Sequence, residues 1–156
     1  MKKRIVFRNW KFYIALTRLR PVVGVNSKLE GGDHFLMWDF DNKGLEQVWT
    51  ALEVQAMIWF LPDIYVLQSS DVRHYHAYCF YSASFERAAV IIGGTDHVDR
   101  MYHALALVRK YWTLRISAPD SQPFKPVGVI AGTVPPTVDL EILSPQTVEY
   151  LSGHTR

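Results

Sequence analysis

His34-Phe35-Leu36-Met37-Trp38-Asp39-Phe40-Asp41-Asn42, residues 34–42, is an apolar run that ends in two carboxylates one residue apart. Read as a strand, it puts Leu36, Trp38 and Phe40 on one side and Phe35, Met37, Asp39 and Asp41 on the other. Two carboxylates then share one patch. Like charges held side by side are costly unless something positive lies between them, and a hard cation such as Mg²⁺ suits oxygen ligands of this kind. The plainer alternative is that Asp41-Asn42-Lys43-Gly44 only ends the strand in a turn, since Asp, Asn and Gly are residues that turns use.

The surrounding chain can support such a strand in a core. Its 156 residues are expected to form one domain, residues 1–156, long enough to fold without disulfides or a structural metal. Hydrophobic residues make up 49% and charged residues 21%, which is ordinary globular usage and argues against wholesale disorder. Cys79 is the single cysteine, so an internal disulfide and a cysteine-built zinc site are excluded; its simplest role is a small buried hydrophobe. Met1-Lys2-Lys3-Arg4 is basic, but Arg8, Asn9 and Lys11 break up the next stretch, so neither a signal peptide nor a membrane span is expected. The expected setting is cytoplasmic.

The net charge of +2 is unevenly spread. Lys2, Lys3, Arg4, Arg8, Lys11, Arg18 and Arg20 give residues 1–20 seven positive charges with no acid, which leaves the rest of the chain at −5. Interleaved with Trp10, Phe12 and Tyr13, this basic segment suits a phosphate backbone with stacked bases. Basic residues on a solvated edge strand, where they discourage aggregation, are the competing explanation.

Residues 4–16 read as an extended segment closed by Arg20-Pro21, and residues 26–33 as a loop. Leu45, Val48, Trp49, Leu52, Ala56, Trp59 and Phe60 recur at helical spacing between Gly44 and Pro62. Residues 64–69 and 74–81 have strand composition and form a hairpin across Ser70-Asp71-Val72-Arg73. Ser84 caps a short helix over 84–92, which Gly93-Gly94 ends, and Asp96 can cap another that runs to Lys110. Trp112–Ser117 comes next as a strand with Trp112, Leu114 and Ile116 on one face, Thr113, Arg115 and Ser117 on the other. Residues 118–126 are loop, 127–131 a further strand and 144–152 a terminal helix. The central order, strand, helix, strand, strand, helix, strand, is the split arrangement of α+β ferredoxin-like and RNA-recognition-motif-like antiparallel sheets. Leu36, Trp38, Phe40, Leu114 and Ile116 are then expected beneath helices 45–60 and 97–110, leaving the opposite face for function.

In that architecture the first and third strands are antiparallel neighbours, so Asp39 and Asp41 would lie near His74 and His76. The fourth strand would complete the same sheet and add Arg115. Carboxylates that hold metal, with histidine and arginine donating to phosphate oxygens, outline a nucleotide site.

Three stretches resemble motifs of the archaeo-eukaryotic primases and the related primase-polymerases of plasmids and phages. They are Asp39-Phe40-Asp41, Ser69-Ser70-Asp71-Val72-Arg73-His74-Tyr75-His76 and Tyr111-Trp112-Thr113-Leu114-Arg115-Ile116-Ser117, within residues 33–118. The resemblance implies that Asp39 and Asp41 bind Mg²⁺ or Mn²⁺ and that His76 binds the phosphates of the incoming nucleotide. By the same resemblance Arg115 is the basic residue of the late strand. His74 stands where the family has a small residue, so Ser69 or Ser70 would supply that element from further off. Asp96 and Asp99 are candidates for a third metal carboxylate, although helix capping explains both. The implied activity is nucleic-acid synthesis from nucleoside triphosphates on a single-stranded template, with a helicase or accessory subunit as a further partner.

A second family competes for the same residues. His74-Tyr75-His76 is similar to the His-hydrophobic-His metal pair of rolling-circle replication initiators, which use a tyrosine nucleophile; Tyr102 and Tyr111 are the candidates here, and neither has lysine three or four residues on. A non-catalytic sheet that binds single-stranded nucleic acid is the third reading.

Overall fold

A computed structural model describes residues 2–7, 10–15, 19–69, 73–116, 124–138 and 147–153, with backbone alone for 2–23 and 147–153. The elements are β1 (Lys2–Phe7), β2 (Trp10–Ala15), β3 (Leu19–Asn26), β4 (His34–Phe40), α1 (Leu45–Trp59), β5 (Ile64–Gln68) and β6 (Tyr75–Ala83). They continue with α2 (Phe85–Gly93), α3 (Arg100–Arg109), β7 (Thr113–Arg115), β8 (Lys125–Ile130) and β9 (Thr147–Gly153). The chain is α+β, and its sheets are antiparallel. Strands β4-β6-β5-β8 form the largest sheet, β7-β3-β9 a second, and β1 pairs with β2. Among the described residues no helix is long and apolar enough to cross a membrane.

The helices cover one face of the large sheet because their apolar positions match the even-numbered ones of β4 and β5 and the odd-numbered ones opposite them in β6. Val48, Leu52 and Ala56 of α1 and Ala88, Ile91 and Ile92 of α2 are buried with Leu36, Trp38, Phe40, Ile64, Val66, Ala77 and Cys79. Trp38 buries its indole and donates from Nε1 to Thr95 Oγ1 at 2.8 Å, so this large core side chain leaves no polar atom unpaired. Ser84 caps α2 as its sequence position suggests, accepting from the Arg87 amide.

Several expectations need correction. The fourth strand does not complete the large sheet: β7 pairs with β3 through Gly24↔Arg115, Val25↔Leu114 and Asn26↔Thr113. In an antiparallel ladder alternate residues turn their backbone groups outward, and along β4 three of those groups are already taken. Ser27 O accepts from Phe35 N, Met37 O from the Tyr102 hydroxyl, and Asp39 O from Asp99 N. An edge satisfied in this way offers β7 no ladder, while β3 does. Leu114 is buried as expected, but Ile116 is half-buried beside Val25 and Phe35 on the face opposite the helices. Phe35 and Met37, expected on the uncovered side, are fully buried. Asp99 rather than Asp96 caps α3, its Oδ1 accepting from the amides of Met101 and Tyr102. Lys2–Phe7 and Trp10–Ala15, which meet the expected 4–16 extended segment, are two paired strands, and Thr147–Gly153, which overlaps the expected 144–152 helix, is a strand on β3. Ser70-Asp71-Val72 of the expected hairpin turn, and most of the 118–126 loop, lie outside the described residues.

Candidate functional site

The register of β4 on β6 assembles the site. Asp39 pairs with His76 and Phe40 with Tyr75, so the next step past the strand end brings Asp41 to His74. Asp41 is followed by Asn42 at φ 57, a left-handed conformation that Asn tolerates well, and the chain turns away there. Lys43 N then donates to Arg73 O at 3.0 Å, tying this turn to the β5–β6 connection. The result is a contact between side chains 33 residues apart: His74 Nδ1 donates to Asp41 Oδ1 at 2.5 Å.

Asp39 and His76 sit deeper. His76 Nδ1 lies 2.9 Å from the carbonyl oxygen of Arg115, which also accepts from the Tyr78 hydroxyl at 3.0 Å. A carbonyl can only accept, so Nδ1 carries the hydrogen, and in the neutral ring Nε2 is a lone pair. That lone pair lies 3.4 Å from Asp39 Oδ1, which is buried and receives no hydrogen bond. The two contacts describe one situation: the groups are close enough for an ion pair but two acceptors face each other. A proton or a cation between them resolves the conflict.

The protonation equilibria point the same way. Burial, then the negative charges of Asp41 and Asp99, pushes Asp39 up to about 7, against the partial relief of Arg115 and His74. Burial brings His76 down to about 4; the Arg115 carbonyl opposes this, while the charges of Arg115 and His74 add to it. Near neutrality Asp39 therefore stands between a protonated form that can donate to His76 Nε2 and a carboxylate that faces no positive charge on His76. Asp39 and Asp41 carry oxygens of the kind that hard cations such as Mg²⁺ or Mn²⁺ take, and Asp99, whose charge acts on Asp39, has one carboxylate oxygen committed to the α3 cap. Among the described residues no three His, Cys, Asp or Glu side chains converge as a ready-made cage. Mg²⁺ needs no such cage, because it is commonly held by one or two carboxylates together with substrate phosphates and water.

The chain matches no family model, no curated protein and no solved structure. Geometry alone therefore speaks for its chemistry.

Of the residues singled out from sequence, Asp39, Asp41, His74 and His76 come together as side chains. Arg115 joins them by its carbonyl on His76 and by its charge on Asp39. Ser69 stands apart from the carboxylates. It is buried, its amide and hydroxyl both donate to the His74 carbonyl, and so it positions the histidine strand. Three participants escaped sequence reasoning. Phe124, in a proline-punctuated stretch with no periodicity, sets its ring edge-on to His76 at 4.9 Å and helps to bury it. Lys43 and Arg100 flank a cleft of about 640 Å³ that runs from Asp41 to Asp99 along the α2–α3 connection. A basic residue directly after the Asp pair was the available signal for Lys43.

Proposed function

We propose that the chain is a primase-like nucleotidyltransferase that extends a nucleic-acid strand from nucleoside triphosphates on a single-stranded template. The supporting observation is the meeting of Asp39, Asp41, His74 and His76 at one end of the β4–β6 ladder, with Arg115 closing on them from a separate sheet. The strand order first, third, second of β4-β6-β5, joined through α1, supports a ferredoxin-like reading of the core, although β7 takes a different partner. A divalent cation on Asp39 and Asp41 would supply charge neutralisation at the phosphates and a more reactive attacking hydroxyl. The chain's own residues would do the rest. Arg115 orients phosphate oxygens, His76 positions Asp39 while its Nδ1 hydrogen is held by the Arg115 carbonyl, His74 holds the Asp41 carboxylate in place, and Lys43 and Arg100 draw the anionic substrate into the cleft. The basic segment 1–20 would add salt-sensitive affinity for the template, and a helicase or accessory subunit would supply that template.

The initiator alternative fares worse on its nucleophile. Tyr102 is enclosed, its hydroxyl donates to Met37 O at 3.2 Å, and burial followed by the charge of Asp39 holds its ionisation well above the usual range. Such a phenol does not attack a phosphodiester. The test is incubation of the protein with Mg²⁺ or Mn²⁺, a single-stranded template and labelled nucleotides. Labelled product that disappears in Asp39→Ala is the expected result; a covalent protein–DNA adduct would favour the initiator, and binding without product the non-catalytic sheet.

A further inference from the structure

On the same sheet face as His76, further along β6, lies an apolar cavity of about 310 Å³. Phe35, Tyr65, Leu67, Tyr78 and Phe80 line it from the large sheet, and Val25 of β3 and Ile116, just past β7, close it. Its accessible rings are Tyr65 and the half-buried Phe80, whose centroids are 5.6 Å apart; the fully buried Phe35 lies 6.0 Å from Phe80. Tyr65 keeps 39% of its surface exposed, so this ring pair is reachable from solvent. We infer that this cavity receives an unpaired base of a single-stranded nucleic acid whose adjoining phosphate meets Arg115. The inference rests on the nucleotidyltransferase reading for the identity of the strand, and it adds a template subsite to that reading.

Three features select a base over other apolar occupants. First, four of the seven lining residues are aromatic, and every base presents a π-face that stacks on such rings whatever its sequence. Second, the cavity continues directly into the polar site. Tyr78 is a wall of the cavity and also donates its hydroxyl to the Arg115 carbonyl, the acceptor shared with His76. Third, Arg115 and Ile116 are consecutive, so the residue whose charge acts on Asp39 and His76 is followed at once by one that lines the cavity. A strand whose phosphate is held at Arg115 thus brings its next base to Phe80 and Tyr65. The polar atoms at the cavity are few, so it grips a base by its face and does not read its edges; pyrimidines and purines should both be accepted.

The experiment measures binding of a fluorescent oligothymidylate to the full chain by anisotropy, with chelator present and without nucleoside triphosphates. Tyr65→Leu, which keeps an apolar side chain but loses the ring, should weaken binding about tenfold. Tyr65→Phe and Tyr65→Trp should bind as the wild type does. An oligonucleotide of abasic residues should bind wild type and Tyr65→Leu equally weakly. Phe80→Leu should repeat the loss independently. Wild-type affinity in both Tyr65→Leu and Phe80→Leu would overturn the assignment and mark the cavity as a docking face for a protein segment; equal binding of thymidylate and abasic chains, or no binding at all, would overturn it as well. Ring-dependent binding in a protein that transfers no nucleotide would leave the base site standing and remove the catalytic reading, so the two can fail separately.

Discussion

The amide of Asp99 donates to the carbonyl of Asp39 at 2.8 Å, so the residue that caps α3 is fastened to the last outward-facing residue of β4. This one bond brings a third carboxylate to the Asp39–Asp41 pair and explains why Asp99 helps to raise Asp39. The two roles of Asp99 separate by substitution. Asp99→Asn keeps a good cap and removes the charge, so stability should change by only a few tenths of a kcal/mol while Mg²⁺ affinity falls. Asp99→Ala should also cost about 1 kcal/mol in stability. Urea unfolding beside metal titration checks both; equal Mg²⁺ affinity in wild type and Asp99→Asn would restrict Asp99 to capping.

Asp39 and His76 should leave opposite marks on stability against pH. The fold holds Asp39 protonated up to about 7 against 3.8 for a free carboxyl, so the unfolded chain releases that proton first and native stability falls as pH rises between those values. His76 stays neutral down to about 4 against 6.5 when free, so its contribution is lost as pH falls through that interval. Where the intervals overlap the two slopes oppose each other. Asp39→Asn should therefore be more stable than wild type by up to about 4 kcal/mol above neutrality, with the advantage shrinking towards pH 4. Millimolar Mg²⁺ should stabilise wild type alone. Parallel pH profiles for the two proteins would contradict the buried, cation-seeking carboxyl.

For catalysis, Asp39→Ala and Asp41→Ala should each lower nucleotide incorporation by at least about 10²-fold, and His76→Ala by a similar factor. Tyr102→Phe should keep the activity and lose about 1 kcal/mol of stability with its bond to Met37. Primer-extension rates normalised to folded protein decide the matter. Full activity in Asp39→Ala would end the nucleotidyltransferase reading.

The paired acids and paired histidines are legible in the sequence because alternation alone assigns each to a strand face, and the one-residue gaps in Asp39-Phe40-Asp41 and His74-Tyr75-His76 keep each pair together. Helices α1 and α2 are legible from apolar spacing and from Ser84. What alternation does not carry is the partner of a strand. Thr113–Arg115 shows which side chains share a face but not that Asp99, Tyr102 and Ser27 have already occupied the edge of β4. Thr147–Gly153 reads as helix because Val148 and Leu151 happen to fall at helical spacing, while pairing with β3 decides its conformation. Asp96 and Asp99 both precede an apolar run, and only three-dimensional contact with Asp39 distinguishes the true cap.

Cys79 gives a readout of core integrity. Its thiol is buried, lies 3.6 Å from the Pro62 carbonyl oxygen, and is pushed up to about 12 chiefly by burial. Alkylation of the native protein at pH 8 should be slower than that of the unfolded chain by at least about 10²-fold, and stability should decline as pH rises above 9, where the unfolded thiol ionises first. Rapid labelling of native protein would show that the sheet opens around β6.

His76 takes its tautomer from a carbonyl that belongs to the smaller β7-β3-β9 sheet, while its carboxylate partner belongs to the larger one. β7 is attached to that smaller sheet by three residue pairs and to the core by the buried Leu114, so its release is a local opening that withdraws Leu114 without unpairing the larger sheet. Once the Arg115 carbonyl departs, the imidazole can rotate and the guanidinium leaves with it, though Asp39, Asp41 and the core stay folded. The site thus has a thermal fuse. Activity should fail several degrees below the melting temperature of the helices, and amide hydrogens of Val25 and Leu114 should exchange with solvent before those of Trp38 and Ala77.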